Sequence, residues 1–464
     1  MGATDAVSGG TGTTDFVNVS LTSDSGSFFD AAVVHSIEID VDSDAVDAML
    51  QTYLDSGDKE WVEATVVIDG TTYEQVGIKL KGNSSLRGVT ADTPIEELPW
   101  RIRLDKFVDG QNIEGVTDVV VRSNVTESSL NEAVALEALS AAGLATEESI
   151  ATRFSVNGSD ENLRLTVAVP NESWLERNFD AGLLPSADGI LWKAESEGDY
   201  SWLGDDPDLY TEVFDREVGD DNYQPLVDFL DIVNNTTDEE LVAQLPEVLD
   251  VEAFARYLAI EDLVNNFDDI DGPGNNSYLY YDPASELMTV VAWDHNLAFG
   301  TVNEAEGVAP AGGLPGEELP EGGLPEGGAP NVPGVGARPD GAGDAVAPGG
   351  LPAEGGEVGA GPGVGGNAQQ GNNILTTRFA EIPEFAALYE AALSELQEEL
   401  FQSGQFASIL ESRSDTLSEE AADLIDGAVL DTETEEIMAY AAGEVQETTI
   451  GGGEGQGAGR PGGR

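Results

Sequence analysis

Chemistry in this chain concentrates between positions 265 and 300, in the run NNFDDIDGPGNNSYLYYDPASELMTVVAWDHNLAFG. Asn276 and Asp294 stand eighteen positions apart in it, and the residues between them read as a β-hairpin. Positions 277–281 are aromatic-rich and strand-like, Asp282, Pro283, Ala284 and Ser285 have turn chemistry, and 287–292 form a second apolar run. In an antiparallel hairpin the start of the first strand neighbours the end of the second, so a carboxamide and a carboxylate emerge side by side. With Asp268, Asp269 and Asp271 just upstream, the result is an oxygen-rich pocket suited to a hard divalent cation. Asn275 competes with Asn276 as the amide ligand. The run does not fit an EF-hand loop, which would need an acid at Phe267 and a glutamate at Tyr278.

A second group of residues could face an anion. Lys79 and Lys81 alternate with Val76, Ile78 and Leu80 and so share one face of a strand, which leads into the small polar turn Gly82-Asn83-Ser84-Ser85, able to offer backbone amides to a phosphate. Arg101 and Arg103 repeat the alternation on a later strand, and Lys193 in LWKAE is a further candidate. The plain alternative is that these cations only offset local acidity. Basic residues are scarce here, 19 against 89 acids, which gives a formal net charge of −70.

The elements that must position these groups change character along the chain. From about residue 28 to 204 the pattern is mostly strand-like, with period-two runs at 36–41, 61–68, 76–81, 100–104 and 163–167. One helix, 129–142, interrupts them, with Ser129 as N-cap, Glu132 as the third residue of a capping box and Gly143 past its end. The second half is helical: Asp250 caps a helix to about 265, and 383–401, 418–425 and 432–442 read as others. Residues 1–27 form a flexible leader, 28–204 a strand-rich lobe, and 205–300 the part that carries the acidic loop and hairpin. Residues 301–373 are a Gly/Pro-rich insertion with GGLP recurring, 374–447 supply further helices, and 448–464 are a disordered tail.

Composition narrows the function. There is no cysteine, which excludes thiol catalysis, disulfides and Cys-based zinc sites, and His35 and His295 are the only histidines. A hydrolase built on an imidazole base is not expected. The acidic surface disfavours nucleic acid and anionic membranes as partners and fits either a high-salt habitat or an ordinary acidic secreted protein. No apolar run approaches 18 residues, and residues 1–25 show no signal-peptide core.

A strand-rich region, one helix, an acidic loop, a hairpin and a second Asp follow one another as the parts of a protein kinase do. Five segments, LKGNSSLRG (80–88), PWRIRLDKF (99–107), LNEAVALEAL (130–139), NFDDIDGPGNNSYLYYD (266–282) and AWDHNLAFG (292–300), resemble the spore-coat protein H (CotH) kinase family. The resemblance implies an α+β, atypical protein-kinase-like two-lobed fold, ATP with Mg²⁺ or Mn²⁺, and a protein or other extracytoplasmic acceptor reached by a secreted or surface-held chain. It implies that Asp294 holds the metal against the nucleotide phosphates, with Asn276 as second ligand and Asn296 where many members carry a second Asp. Asp268 of the N-x-D element would position or deprotonate the attacking hydroxyl, with Asp269 and Asp271 as competitors. Lys79, Lys81, Asn83, Ser84, Arg101, Arg103 and Lys193 would face the phosphates, and Glu132 would pair with the phosphate-binding lysine. No acid stands at the end of the 163–169 strand, where the family pattern leads one to look for a Glu. A catalytically weak interaction protein that binds partners through 301–373 is the alternative.

Overall fold

The computed structural model describes residues 27–82, 84–195, 198–266, 268–272, 275–301 and 373–441. The leader, the Gly/Pro-rich insertion and the C-terminal tail of the sequence reading lie outside these residues or nearly so, as does Asn83.

The strand-rich half closes on itself. β1 (His35–Asp40) is followed by α1 (Ser43–Ser56), then β2 (Val62–Ile68), β3 (Thr71–Leu80), β4 (Trp100–Arg103) and β5 (Asp118–Val121). After α2 (Leu130–Ala141) come β6 (Ser149–Val156), β7 (Asn162–Ala168) and α3 (Glu172–Asp180). The strands form a closed barrel in the order β1-β2-β3-β4-β5-β7-β6. Closure comes from a parallel ladder in which Ile37 meets Phe154 and Ile39 meets Val156, the other pairs being antiparallel. Alternate residues such as Ile37, Val66, Ile78, Trp100, Ile102 and Phe154 are fully buried in one apolar cluster. On the outer face of β5 and β7, Val120, Leu165 and Val167 pack against Ala133 and Leu136 of α2.

The chain then builds a second sheet. β8 (Ile190–Ala194), β9 (Phe214–Val218), α4 (Gln224–Asn235), α5 (Asp238–Gln244) and α6 (Val251–Val264) lead to the hairpin of β10 (Ser277–Asp282) and β11 (Leu287–Ala292). Sheet order is β11-β10-β8-β9. Its two faces serve two cores, as a period of two requires. Tyr278, Tyr280 and Leu191 join the barrel cluster, whereas Leu279, Trp192 and Ala292 join the helical one. That helical core is completed by α7 (Ile374–Glu381), α8 (Pro383–Leu396) with its π-helical continuation (Gln397–Gln402), α9 (Gln405–Glu420) and α10 (Gly427–Ala441).

The α+β class is therefore as expected, and so is the hairpin, with Asp282 bonding Ala284 N and Ser285 N in its turn. Three expectations need correction. The helix expected over 418–425 is not formed as such: 418–420 are the last residues of a longer helix that begins at 405, and 421–425 turn before the next one. α1 and α3 join α2 among the strands, so the first half holds three helices and not one; both are amphipathic and lie between strong strand signals. Ser129 does not cap α2 through its side chain, because its backbone is left-handed (φ 54°). The Ser128 hydroxyl accepts from Leu130 N instead, and the Glu433 carboxylate of α10 accepts from Glu127 N and Ser128 N.

Candidate functional site

The site is assembled where the open end of the hairpin meets α2 and the outer face of β3 and β4. Ser277 stands opposite Ala292, so Asn276 and Asp294 leave the same end of the hairpin. Asp294 follows Trp293 with a left-handed backbone (φ 67°), a conformation that costs an L-residue energy and that tertiary contacts must hold. One contact is Arg122, just beyond β5, whose Nη1 lies 3.0 Å from Asp294 Oδ1. The same guanidinium meets Glu132 Oε1 of α2 at 2.5 Å and lies over the Trp293 ring, 5.3 Å from its centroid. Burial alone would lower the Arg122 pKa, but Glu132, Asp294 and Glu147 together raise it, so the cation is fixed. Glu132 thus pairs with an arginine and not with Lys79 or Lys81.

A second node lies beneath. His295 is fully buried, with Nε2 3.0 Å from Glu261 Oε1 of α6. Although burial opposes its charge, Glu261 foremost, with Glu147 and Glu132, raises its pKa to about 9. The other oxygen of Glu261 accepts from Asn266 Nδ2 at 3.1 Å. One carboxylate therefore ties the start of the acidic loop to the residue after Asp294. Asn131 of α2 adds a bond from Nδ2 to the Asn296 carbonyl at 2.6 Å.

The acidic loop folds back on the hairpin. Asn276 Nδ2 donates to the Asp268 carbonyl at 2.8 Å and to its Oδ2 at 2.9 Å, and Asn276 N donates to Asp269 O at 3.2 Å. Asp268 and Asn276 are thereby brought together. Asp269 behaves differently. Burial, followed by the charge of Asp271 and a hydrogen bond with it, pushes its carboxyl well above the usual range, whereas Asp268 lies beside an amide donor. Asn275, with φ 50°, shapes the turn before the strand.

The cations gather on the opposite side. Ile78, Leu80, Trp100 and Ile102 fill the barrel, so Lys79, Lys81, Arg101 and Arg103 face outward, with Lys79 directly opposite Arg101 in the ladder. Lys79 Nζ, Lys106 Nζ and Arg101 Cζ lie 4.7, 5.1 and 5.9 Å from the centroid of Trp61. Gly77 makes room for this, since a Cβ there would sit 2.5 Å from Lys106 Cβ. Lys81 Nζ is 5.6 Å from the Trp293 centroid. Burial and the charges of Lys193 and Arg101 bring its amine down to about 8, and burial likewise lowers Lys79 and Lys59. Lys59 and Lys193 feel each other's charge, so all five lysines of the chain converge on one region. Not every cation is equally available. Arg101 is clamped by the buried Asp118 (2.7 Å), Arg103 meets Asp105 (2.7 Å) and Lys193 meets Glu195 (3.0 Å). Ser84 begins a 3₁₀ turn, Ser84–Leu86, at the end of the lysine strand.

The donor set suits an oxygen-seeking cation only in part-filled form. Among the described residues no three His, Asp or Glu side chains gather to hold a metal by themselves. Asp294, with Asn276 turning its amide nitrogen toward Asp268, supplies one carboxylate and one amide oxygen, which fits an ion that keeps water and phosphate oxygens as its other ligands.

Arg122, Glu261 and His295 were not among the residues singled out from the sequence. The available signal was an arginine directly after the run DVVV and a pair of acids, Glu261 and Asp262, in the apolar helix AIEDLV.

Residues 78–427 match the family model for the CotH kinase protein, and the chain belongs to that family. No curated protein is a significant match. No helix among the described residues is long and apolar enough to cross a membrane.

Proposed function

We propose that this protein is a metal-dependent phosphotransferase that moves the terminal phosphoryl group of ATP to a hydroxyl on a protein or other extracytoplasmic acceptor. On this reading the barrel side and the helical side are the two lobes of an atypical kinase-like fold, with the nucleotide between them. The observation that carries it is a lysine-rich face on β3 and its neighbours that reaches the hairpin end bearing Asp294, where Lys81 and Arg122 lie against Trp293. In a chain with 89 acidic residues, lysines whose pKa is lowered by burial and by neighbouring cations stand in an arrangement that favours a polyanion.

Asp294 and Asn276 would hold Mg²⁺ or Mn²⁺, with the Asn296 side chain as a further oxygen within reach of the same loop; the ion would neutralise charge on the transferring group. Lys81 and Lys79 would take the phosphates, and Lys193 would add charge from β8. Asp268 would accept the acceptor's proton as its oxygen bonds to phosphorus and the bond from phosphorus to ADP breaks. Asp269, whose carboxyl burial and Asp271 push above the usual range, is the second candidate for that role. Arg122 would hold Asp294 and Glu132 in register. Secretion and a cell-surface acceptor follow from the family reading alone.

Calorimetry with ATP, with and without Mg²⁺ or Mn²⁺, tests the proposal. Metal-dependent binding and phosphate transfer that stops in Asp294→Ala are expected; transfer that persists in that variant would overturn it. The second reading, an interaction protein without catalysis, is favoured by the Arg122 contact on Asp294 and by Asn296 in place of an acid. It expects no nucleotide affinity, and partner binding that disappears when 301–373 is deleted.

A further inference from the structure

A cavity of about 70 Å³ lies between α2, the 146–149 segment that leads into β6 and the start of α9. Four of its lining residues, Ser140, Thr146, Glu147 and Ser149, are more than nine-tenths buried and carry side-chain oxygens with no hydrogen-bond partner. Buried polar atoms are ordinarily satisfied, so five orphan oxygens around one cavity point to a missing partner. Charge narrows its identity. Of three carboxylates in the wall, Glu137 is bound by Arg413 (2.6 Å) and Glu148 by Arg177 (2.5 Å), which leaves Glu147 without an ion pair of its own; Arg122 and His295 act on it through their charge but are paired with Glu132, Asp294 and Glu261. Arg413 also fixes the wall by donating to Ser149 O at 3.0 Å.

We infer that this cavity is a binding site for one monovalent inorganic cation, of sodium or potassium size, held by the Glu147 carboxylate and the hydroxyls of Ser140, Thr146 and Ser149. One carboxylate with neutral oxygens balances a single positive charge, whereas a divalent ion would need more acids than gather here. The volume is several times what one water needs, which leaves room for an ion that keeps some water beside the four side chains. In the cation's absence burial drives the Glu147 carboxyl up to about 8, so it stands protonated at neutral pH and gives up that proton when the ion enters. Occupancy would also act on α2, which carries Glu132 to Arg122. The inference does not depend on phosphoryl transfer.

Thermal unfolding of the full chain in potassium, sodium or choline chloride at one fixed high ionic strength is the test, joined to crystals grown in rubidium chloride. Expected are a saturable rise in melting temperature with sodium or potassium over choline, and an anomalous rubidium peak among Ser140, Thr146, Glu147 and Ser149. Glu147→Gln abolishes the saturable rise. Ser140→Ala, which leaves the charge unchanged, shifts its midpoint to higher cation concentration by about tenfold. Equal melting in all three salts, water-like density in the cavity, or a saturable rise that survives in both variants would overturn the site.

Discussion

The two sides of the candidate site solve the problem of charge in opposite ways. At the junction of β5, α2 and the hairpin, unlike charges interlock: Arg122 binds Glu132 and Asp294, and His295 binds Glu261. At the lysine face and in the acidic loop, like charges accumulate instead. Burial and neighbouring cations lower Lys59, Lys79 and Lys81, and burial, with the charge of Asp271, pushes the Asp269 carboxyl well above the usual range. Interlocked charges fix geometry, while unrelieved ones leave free energy to be recovered on binding. A ligand with an anionic and a cationic end, such as a metal–nucleotide, relieves both surfaces at once.

The largest effect expected from breaking this contrast is at Asp294, the one carboxylate on both sides of it. Asp294→Ala should lower phosphate transfer by about 10³-fold or more, the range for removing one charge stabiliser from a reaction centre, measured as transfer of labelled phosphate at saturating ATP and metal. Thermal unfolding should change little by comparison. A loss of folding as large as the loss of transfer would assign Asp294 to structure alone. Next is the interlocked side. Arg122→Met leaves Glu132 buried and unpaired, which should cost about 3–5 kcal/mol of stability, read from the denaturant midpoint. The double variant Arg122→Met/Glu132→Leu should recover most of that loss, because the orphaned charge goes with it.

How much of this was legible beforehand depended on the range of the interaction. The hairpin was readable because its strands pair locally through Tyr278, Tyr280, Val290 and Val291, with turn residues between. Lys79 and Lys81 could be placed on one face by period two alone. Closure of the barrel could not be read, since it joins 35–39 to 152–156 and no local pattern encodes a partner so distant. Arg122 failed for the same reason: a residue at a strand end has no sequence mark of which helix will meet it. Glu132 was visible as an acid in the first turn of an apolar helix, but a capping role explained it equally well until Ser129 was found to be left-handed.

A smaller effect is expected on the uncompensated side. Lys81→Met should weaken ATP binding about tenfold to a hundredfold, in keeping with about 1.5–3 kcal/mol for a charged hydrogen bond, with the fold intact in circular dichroism. In the unsubstituted protein the free amine titrates near 8, so affinity should fall as pH rises from 7 to 9. The Lys81→Met variant should flatten that profile; an equal slope in both would move the dependence to another lysine of the cluster.

The smallest expected effect is the response of stability to pH at the interlocked node. His295, facing Glu261, Glu147 and Glu132, has a folded pKa of about 9 against an unfolded value near 6.5, so its contribution is complete below 6.5 and is lost as pH rises toward 9. Glu147, raised by burial to about 8 against about 4.5 unfolded, has the same sign, because the folded chain keeps a proton that the unfolded chain has released. Between pH 6.5 and 8 the folded state therefore binds the extra protons, and stability should decline by on the order of 1–2 kcal/mol, measured as urea midpoints at the two pH values. Lys81 acts in the opposite direction above pH 8, since its folded amine loses a proton that the unfolded chain retains. Glu147→Gln removes one contribution and should roughly halve the decline without reversing it. A decline of undiminished size in that variant would leave His295 as its source, and no decline in the unsubstituted protein would mean that the buried node exchanges its protons internally before any are released to solvent.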